Sequence, residues 1–382
     1  MRMFERWMAI PGILAAIAFA GAIYKWVYGE HALGTSAVVP WGSLIAGYAF
    51  FAAAATGVGL IGAVGHLSGK PALASLEKRS LFLSLALLLS GFVLIGVELG
   101  NPFHLVYVVI SPNFQSGIWW MSFLYTIYLV LLFIECYFSQ VDPANKNLKL
   151  VGVIAIVSKV AAVCTLGAIF ALASTRIFWS GIYFPLYILL TAVLSGAAAL
   201  ILSLYLTGKG KGKTVDSLVM AALSRIMAVT IVLALLFTAG KILYDSRSGI
   251  SALQDAAAVL VSGPLAARFW VMEVGVGMLI PLMMIFRFDL TRAVIAAIAV
   301  LAGVFFMRVD FIMAGQIVPQ VVVEGVQNVV YHSYSMTWTE WVLIAGAFAA
   351  SSLIYFFFEK KFNLDAGENA VFSNPKEQGK GG

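Results

Sequence analysis

Charge is what this sequence has least of. Only 11% of its 382 residues are Asp, Glu, Lys or Arg, against about 25% in a soluble domain. A chain that is 62% hydrophobic cannot hide that surface in a water-soluble core, which leaves a polytopic membrane protein. Cysteine is scarce. Cys136 and Cys164 both fall inside apolar runs, are too few for an iron–sulfur cluster, and form no CxxC or CxxCH spacing. The four histidines are His31, His66, His104 and His332. No two sit at matched depth in facing segments, which disfavours a b-type haem. Walker, GxGxxG and zinc-ligand spacings are missing, so no metal site is expected, and no tandem repeat is visible. The first apolar run lacks a cleavage pattern behind it and reads as a membrane helix. The net charge of +6 lies in short loops, where it signals topology and not a nucleic-acid partner.

What is present in quantity is the long apolar run. Ten approach the ~20 residues that span a bilayer as a helix, too long for barrel strands. They cover 8–27, 41–67, 81–100, 118–138, 150–173, 183–207, 218–243, 267–286, 293–314 and 338–358. The expected fold is all-α. The eight inner runs divide into two sets of four, so two four-helix bundles with flanking helices are expected within a membrane domain over 1–362. The polar tail 363–382 reads as disordered, and the GKGKGK run at 208–213 as a flexible basic linker.

The loops alternate in charge. Arg2, Arg6, Lys70, Lys78, Arg79, Lys146, Lys149, Lys209, Lys211, Lys213, Arg287, Arg292, Lys360 and Lys361 fall on one side. The other side holds little beyond Arg176, Arg247 and Arg268. The positive-inside rule then puts both termini in the cytoplasm of a cell whose inner membrane carries the chain. Three long loops, 29–40, 245–264 and 316–337, face outward and suit a docking partner or plain solvation.

Ionisable groups inside spans are costly and mark functional candidates. Lys25, Lys241 and Asp245 lie close enough to an interface to snorkel, as does Glu135. Glu273 and Arg308 sit at similar depth on adjacent antiparallel helices and are expected to form an ion pair. Lys159 and Arg225 lie about two turns in and need partners. An interhelical contact is the simple reading, and a proton path through Glu135, Lys159, Glu273 and Arg308 the functional one.

One stretch concentrates chemistry. Glu98 ends the third run, Asn101, Pro102 and His104 follow, and Ser116, Trp119 and Trp120 open the fourth, with Tyr125 further along. Glu and His exchange protons near neutrality in a suitable environment. Asn and Ser orient carbonyl or hydroxyl groups, and aromatic faces hold a flat ring. The set suits a quinone. A helix-capping carboxylate beside an interfacial aromatic belt explains the same residues.

At Glu98-Leu99-Gly100-Asn101-Pro102 and the following hairpin the sequence resembles the NrfD/PsrC family, the membrane subunits of polysulfide reductase and related respiratory complexes. Glu98 stands where Asp is more usual and Asn101 where Arg is common. Further matches are Pro40-Trp41-Gly42, Phe269-Trp270 leading to Glu273, Arg308 with Ala314-Gly315-Gln316, and Thr337-Trp338-Thr339-Glu340. The ten-helix count is similar to that of the hydrogenase-2 and Dsr-type members. The resemblance implies a subunit without haem or cluster of its own, exchanging electrons between menaquinone or another quinone and a ferredoxin-like iron–sulfur subunit on the outer face. Further catalytic subunits would complete the complex. Glu98 and His104 would handle protons, and Asn101, Trp41, Ser116, Trp119, Trp120 and Tyr125 would contact the ring. A transporter-like or proton-translocating module, or a pure membrane anchor, remains the alternative.

Overall fold

The computed structural model describes residues 2–68, 71–142, 148–173, 175–286, 289–319, 331–362, 364–365 and 371–373. Among them, ten helices are long and apolar enough to cross a membrane. They are α1 (Arg2–Tyr28), α2 (Ser43–Leu67), α3 (Glu77–Glu98), α4 (Gly117–Val141), α5 (Leu148–Leu172), α6 (Tyr183–Lys211) and α7 (Ser217–Arg247). After a short amphipathic helix, α8 (Ser251–Val261), come α9 (Ala266–Ile285), α10 (Leu290–Ile317) and α11 (Trp338–Lys361). Helices satisfy every backbone group within the segment, the condition for sitting in hydrocarbon. The start of α1 and the end of α11 share one face, called here the terminal face. The segment between α3 and α4, α8 and the start of α11 share the other, the hairpin face.

α2 is the hub. It packs on α3, α5, α6 and α10, and its run Ala52–Ala55 is completely buried. The first bundle is α2 to α5 and the second is α6, α7, α9 and α10. α1 pairs with α11, which packs against α3. The bundles meet where small residues let backbones touch. A Cβ on Gly57 would come within 1.8 Å of the Ala192 carbonyl oxygen, and one on Gly196 within 2.3 Å of the Gly57 carbonyl carbon. α9 is unusual. Residues Phe269–Leu279 form a π-helix, with Pro281 just beyond. Proline cannot donate to the ladder, and π segments recur at functional sites.

Several expectations change at the terminal face. Arg79, read as a loop charge, is 1% exposed and bonds Glu359, Asp365 and Tyr355. The 208–213 run is not a free linker. α6 continues to Lys211, which pairs with Glu359 at 2.9 Å and Asp365 at 2.8 Å, and Gly212 ends the helix at φ 67°. Two-residue strands β1 (Thr214–Val215) and β2 (Phe372–Ser373) pair antiparallel, and the Phe372 ring lies 4.6 Å from the Arg79 guanidinium. Asp365 and residues 371–373 are therefore docked. Residues 363, 366–370 and 374–382 of the tail lie outside the described residues, as do 320–330 and the loop charges Lys70, Lys146 and Arg287. The neighbouring Lys211 and Arg79 charges hold the Asp365 carboxyl below its usual range, outweighing the burial that would raise it.

Candidate functional site

The hairpin after α3 is built by local capping. Asn101 is an N-cap followed by Pro102, a pairing that starts helices. Its side chain accepts from the Phe103 amide at 3.1 Å and starts a 3-10 helix, Pro102–Val106, that runs into one α-turn, Tyr107–Ile110. The Asn101 amide lies 3.2 Å from His104 Nε2. Ser116 caps α4, accepting from the Trp119 amide at 3.3 Å. Both tryptophans hold the hairpin. The Trp119 indole donates to the Val108 carbonyl at 2.8 Å, and that of Trp120 to the Phe114 carbonyl at 2.9 Å. Trp119 also stacks on Phe123 at 4.9 Å. The hairpin surface is exposed and apolar: Phe103 is 83% and Val109 75% accessible.

Glu98 sits at the inner edge of this hairpin. Lys25, expected to snorkel, is instead 2% exposed. Its ammonium donates to the Glu98 backbone carbonyl at 3.0 Å and lies 3.5 Å from the Glu30 carboxylate. Glu98 Oε2 is buried and has no hydrogen-bond partner among the described residues. A buried polar atom without a partner is costly, so an added donor would be favourable at this oxygen.

Other candidates lie elsewhere. Trp41 is in the seam between bundles, stacked on Trp179 at 5.3 Å, its backbone exchanging bonds of 3.0 and 2.9 Å with the Gln316 amide. Tyr125 is 1% exposed in the core beside Tyr48 and Tyr128, at ring separations of 6.2 Å. The hydroxyls of Tyr125 and Tyr128 are buried without hydrogen-bond partners among the described residues. Deeper still, Lys159 donates to Glu135 at 2.8 Å, both buried, with the Lys159 ammonium 5.8 Å from the Tyr128 ring centre. Glu135 thus does not snorkel. His66 and Glu77, paired at 2.8 Å, continue the polar series at the terminal face. Arg225 is exposed on α7.

In the second bundle the expected Glu273–Arg308 ion pair does not form. Arg308 donates to the Thr191 hydroxyl at 2.6 Å, and Glu273 accepts from Tyr187 at 3.4 Å. Asp310 takes Arg268 as its partner. Depth along the membrane was a sound guide to which helices meet. Rotation about the axis, altered by the π segment that carries Glu273, decides which side chains do.

The sequence pattern gives no role of its own to one buried carboxylate, Glu340. It accepts from the Ser43 hydroxyl at 2.9 Å, the Gly34 amide at 3.0 Å, the Thr337 amide at 2.8 Å and the Tyr334 hydroxyl at 2.5 Å. Thr337 and Glu340 form a capping box, which the Thr-x-x-Glu spacing displays. Its ties to Gly34 and Ser43 are long-range and leave no local signal. Burial and the adjacent Glu340 carboxylate push the Tyr334 hydroxyl well above the usual tyrosine range. Glu340 anchors the hairpin-face loops around α2 and α11. Among the described residues, no group of three or more His, Cys, Asp or Glu could hold a metal ion.

With this geometry in place, comparison decides the family. The family model described as polysulphide reductase, NrfD, matches residues 31–320. The chain belongs to that family. The match spans α2 to α10, both bundles included. Two relatives match this NrfD-family chain over nearly its whole length. The Hdr-like menaquinol oxidoreductase integral membrane subunit of Archaeoglobus fulgidus is 24% identical over 375 residues, covering 94% of each chain. A selenate reductase subunit from Mesobacillus selenatarsenatis is 21% identical over 391 residues, covering 90% of this chain and 91% of its own.

Proposed function

We propose that this NrfD-family chain is the quinone-reactive membrane subunit of a respiratory oxidoreductase, with its ring site at the hairpin face of the first bundle. The observation that carries the reading is the buried, unpartnered Oε2 of Glu98, on the chain just before the Asn101–His104 pair and an exposed apolar hairpin. A quinone supplies two-electron, two-proton chemistry when bound. The chain's residues fit it: Glu98 Oε2 lacks a donor, and the exposed hairpin gives an apolar tail a way in. Glu98 would hold or release a proton at Oε2. Lys25, bound to the Glu98 backbone, would keep the end of α3 in place. His104 and Asn101 would bind ring substituents. Trp119, Trp120 and Ser116 act through the hairpin they fix, while Trp41 and Tyr125 support the seam and core behind it. The relative named a menaquinol oxidoreductase subunit favours menaquinone as the ring.

Lys159, Glu135 and Tyr128 would carry protons toward His66 and Glu77 at the terminal face. Glu273 and Arg308 form a second polar cluster, which the loop charges would place nearer the outer surface. By the positive-inside rule those charges would put both termini in the cytoplasm and the hairpin outside, where it would face an iron–sulfur subunit and further catalytic partners. Extraction of quinone from the purified complex tests the reading, together with quenching of Trp119 and Trp120 fluorescence on titration with a menaquinone analogue. Stoichiometric quinone and saturable quenching are expected. A quinone-free complex whose fluorescence does not respond would overturn it.

A further inference from the structure

A cleft of about 640 Å³ opens on the side of the second bundle, between the 177–182 segment, the start of α6, the end of α7 and the start of α8. Its mouth is apolar and faces outward: Ile182, Leu236, Tyr244 and Ile250 are 74%, 64%, 69% and 43% exposed. Gly240 leaves part of its wall open, since a Cβ there would meet nothing within 4 Å. Polar groups converge inside. Lys241 and Asp245, one helical turn apart, pair at 2.7 Å, and Asp245 is fully buried. The Lys241 ammonium also lies 4.7 Å from the Phe178 ring centre and 5.7 Å from that of Tyr183. Behind Tyr183 and Lys241 is a cavity of about 40 Å³ lined by Tyr187, Thr238, Glu273 and Asp310 among others, room for about two or three waters. Asp310 Oδ2 is buried with no hydrogen-bond partner among the described residues.

The volume falls in the range of small-molecule sites, roughly 300–1,000 Å³. The apolar mouth admits a molecule that partitions from the bilayer. The Lys241–Asp245 pair offers a donor and an acceptor with no net charge. An anionic phosphate head group would gain from Lys241 what it loses to Asp245. A neutral ring bearing carbonyl or hydroxyl groups meets no such penalty, and the rings of Tyr183 and Phe237, 5.8 Å apart, supply faces for it. None of these residues belongs to the hairpin constellation.

We propose that this cleft is a second binding site, for a neutral quinone-class ring with an apolar tail, seated against Tyr183 and Phe237 with its polar groups toward Lys241 and Asp245. The identity of the ring rests on the quinone-reactive reading above, while the location of the cleft does not. The two sites lie in different bundles and on separate peptides, so one experiment reads them independently.

The test is photolabelling of the whole complex in lipid nanodiscs with an azido-menaquinone analogue, followed by peptide mapping. Two labelled regions are expected, one within 98–123 and one within 236–253. Gly240→Leu starts from a Cβ that meets no atom within 4 Å, projects into the cleft wall and keeps a helix-favouring residue. It should cut labelling of 236–253 at least tenfold and leave 98–123 within twofold. Label confined to 98–123 overturns the second site and leaves the proposed function standing. Label on neither region overturns both. Label on 236–253 that Gly240→Leu does not reduce, or that phosphatidylglycerol displaces better than unlabelled quinone, overturns the second site by showing surface attachment or a lipid-headgroup site.

Discussion

Lys159→Met offers the sharpest test of the buried polar series in the first bundle. Lys159 is 0% exposed and its ammonium lies 2.8 Å from a Glu135 carboxylate that is itself 7% exposed. Removing one partner leaves a charge in a low-dielectric core, a change that costs about 3–5 kcal/mol for buried pairs in soluble proteins. A single acidic or basic residue at the centre of a membrane helix costs a similar 2.5–3.5 kcal/mol or so on insertion scales. Lys159→Met alone should therefore destabilise the fold by about 3 kcal/mol. Replacing both partners by apolar residues of similar volume is often neutral, so the Lys159→Met/Glu135→Leu double variant should lie within about 1 kcal/mol of the parent. The coupling energy across the cycle is then about 3 kcal/mol or more, far above the few tenths expected of independent sites. Unfolding by steric trapping or by SDS titration in mixed micelles measures it. Additive single variants, with coupling under about 0.5 kcal/mol, would show that the two groups do not depend on each other and remove the pair from any proton route.

Three further outcomes follow from the packing. Gly57→Ala must push α2 from α6, because its Cβ would start 1.8 Å from the Ala192 carbonyl oxygen. A loss of at least about 2–3 kcal/mol is expected in the same unfolding assay, whereas Gly152→Ala, with open space around it, should be near neutral. Asp365 is held below its usual carboxyl range by Lys211 and Arg79. Its stabilisation is complete above the unfolded value near pH ~4 and is lost as pH falls through the lower folded value. Hydrogen exchange at the Asp216 amide, which donates to the Val371 carbonyl at 2.9 Å, should lose protection over that window, and Asp365→Asn should show the weakened protection already above it, with no further loss as pH falls. Glu340→Ala strands the Ser43, Gly34, Thr337 and Tyr334 donors and should cost about 3–5 kcal/mol. Unchanged thermal stability would show that the loops around α2 and α11 hold without it.

The ten spans and their all-α packing were legible because run length and hydropathy report directly on a bilayer-crossing helix. Asn101-Pro102 and Ser116 cap the hairpin within a few residues of themselves, a local role that their reading as ring contacts does not include. The need of Lys159 for a partner was legible, because a buried ammonium must have one. What the sequence hides is azimuth. It places Glu273 and Arg308 at one depth but cannot show that a π segment turns α9, leaving Arg308 with Thr191 and joining Asp310 to Arg268. Likewise nothing local marks Arg79 as buried, since its partners Glu359 and Asp365 lie 280 or more residues away. Trp41 is a ring contact only through the family resemblance, and its place in the seam follows from Trp179 and Gln316. Within the candidate site, Glu98, Asn101 and His104 are neighbours in sequence, while the support from Lys25 comes from another helix and leaves no local signal.

Glu98→Gln tests the central claim most directly. The amide keeps the size of the side chain and removes its exchangeable carboxyl proton. In the assembled complex, quinol-linked electron transfer should fall at least 100-fold, while the set of assembled subunits and the dye-linked activity of the catalytic partners stay unchanged. An assembled Glu98→Gln complex that turns over quinol at the parental rate would contradict the account.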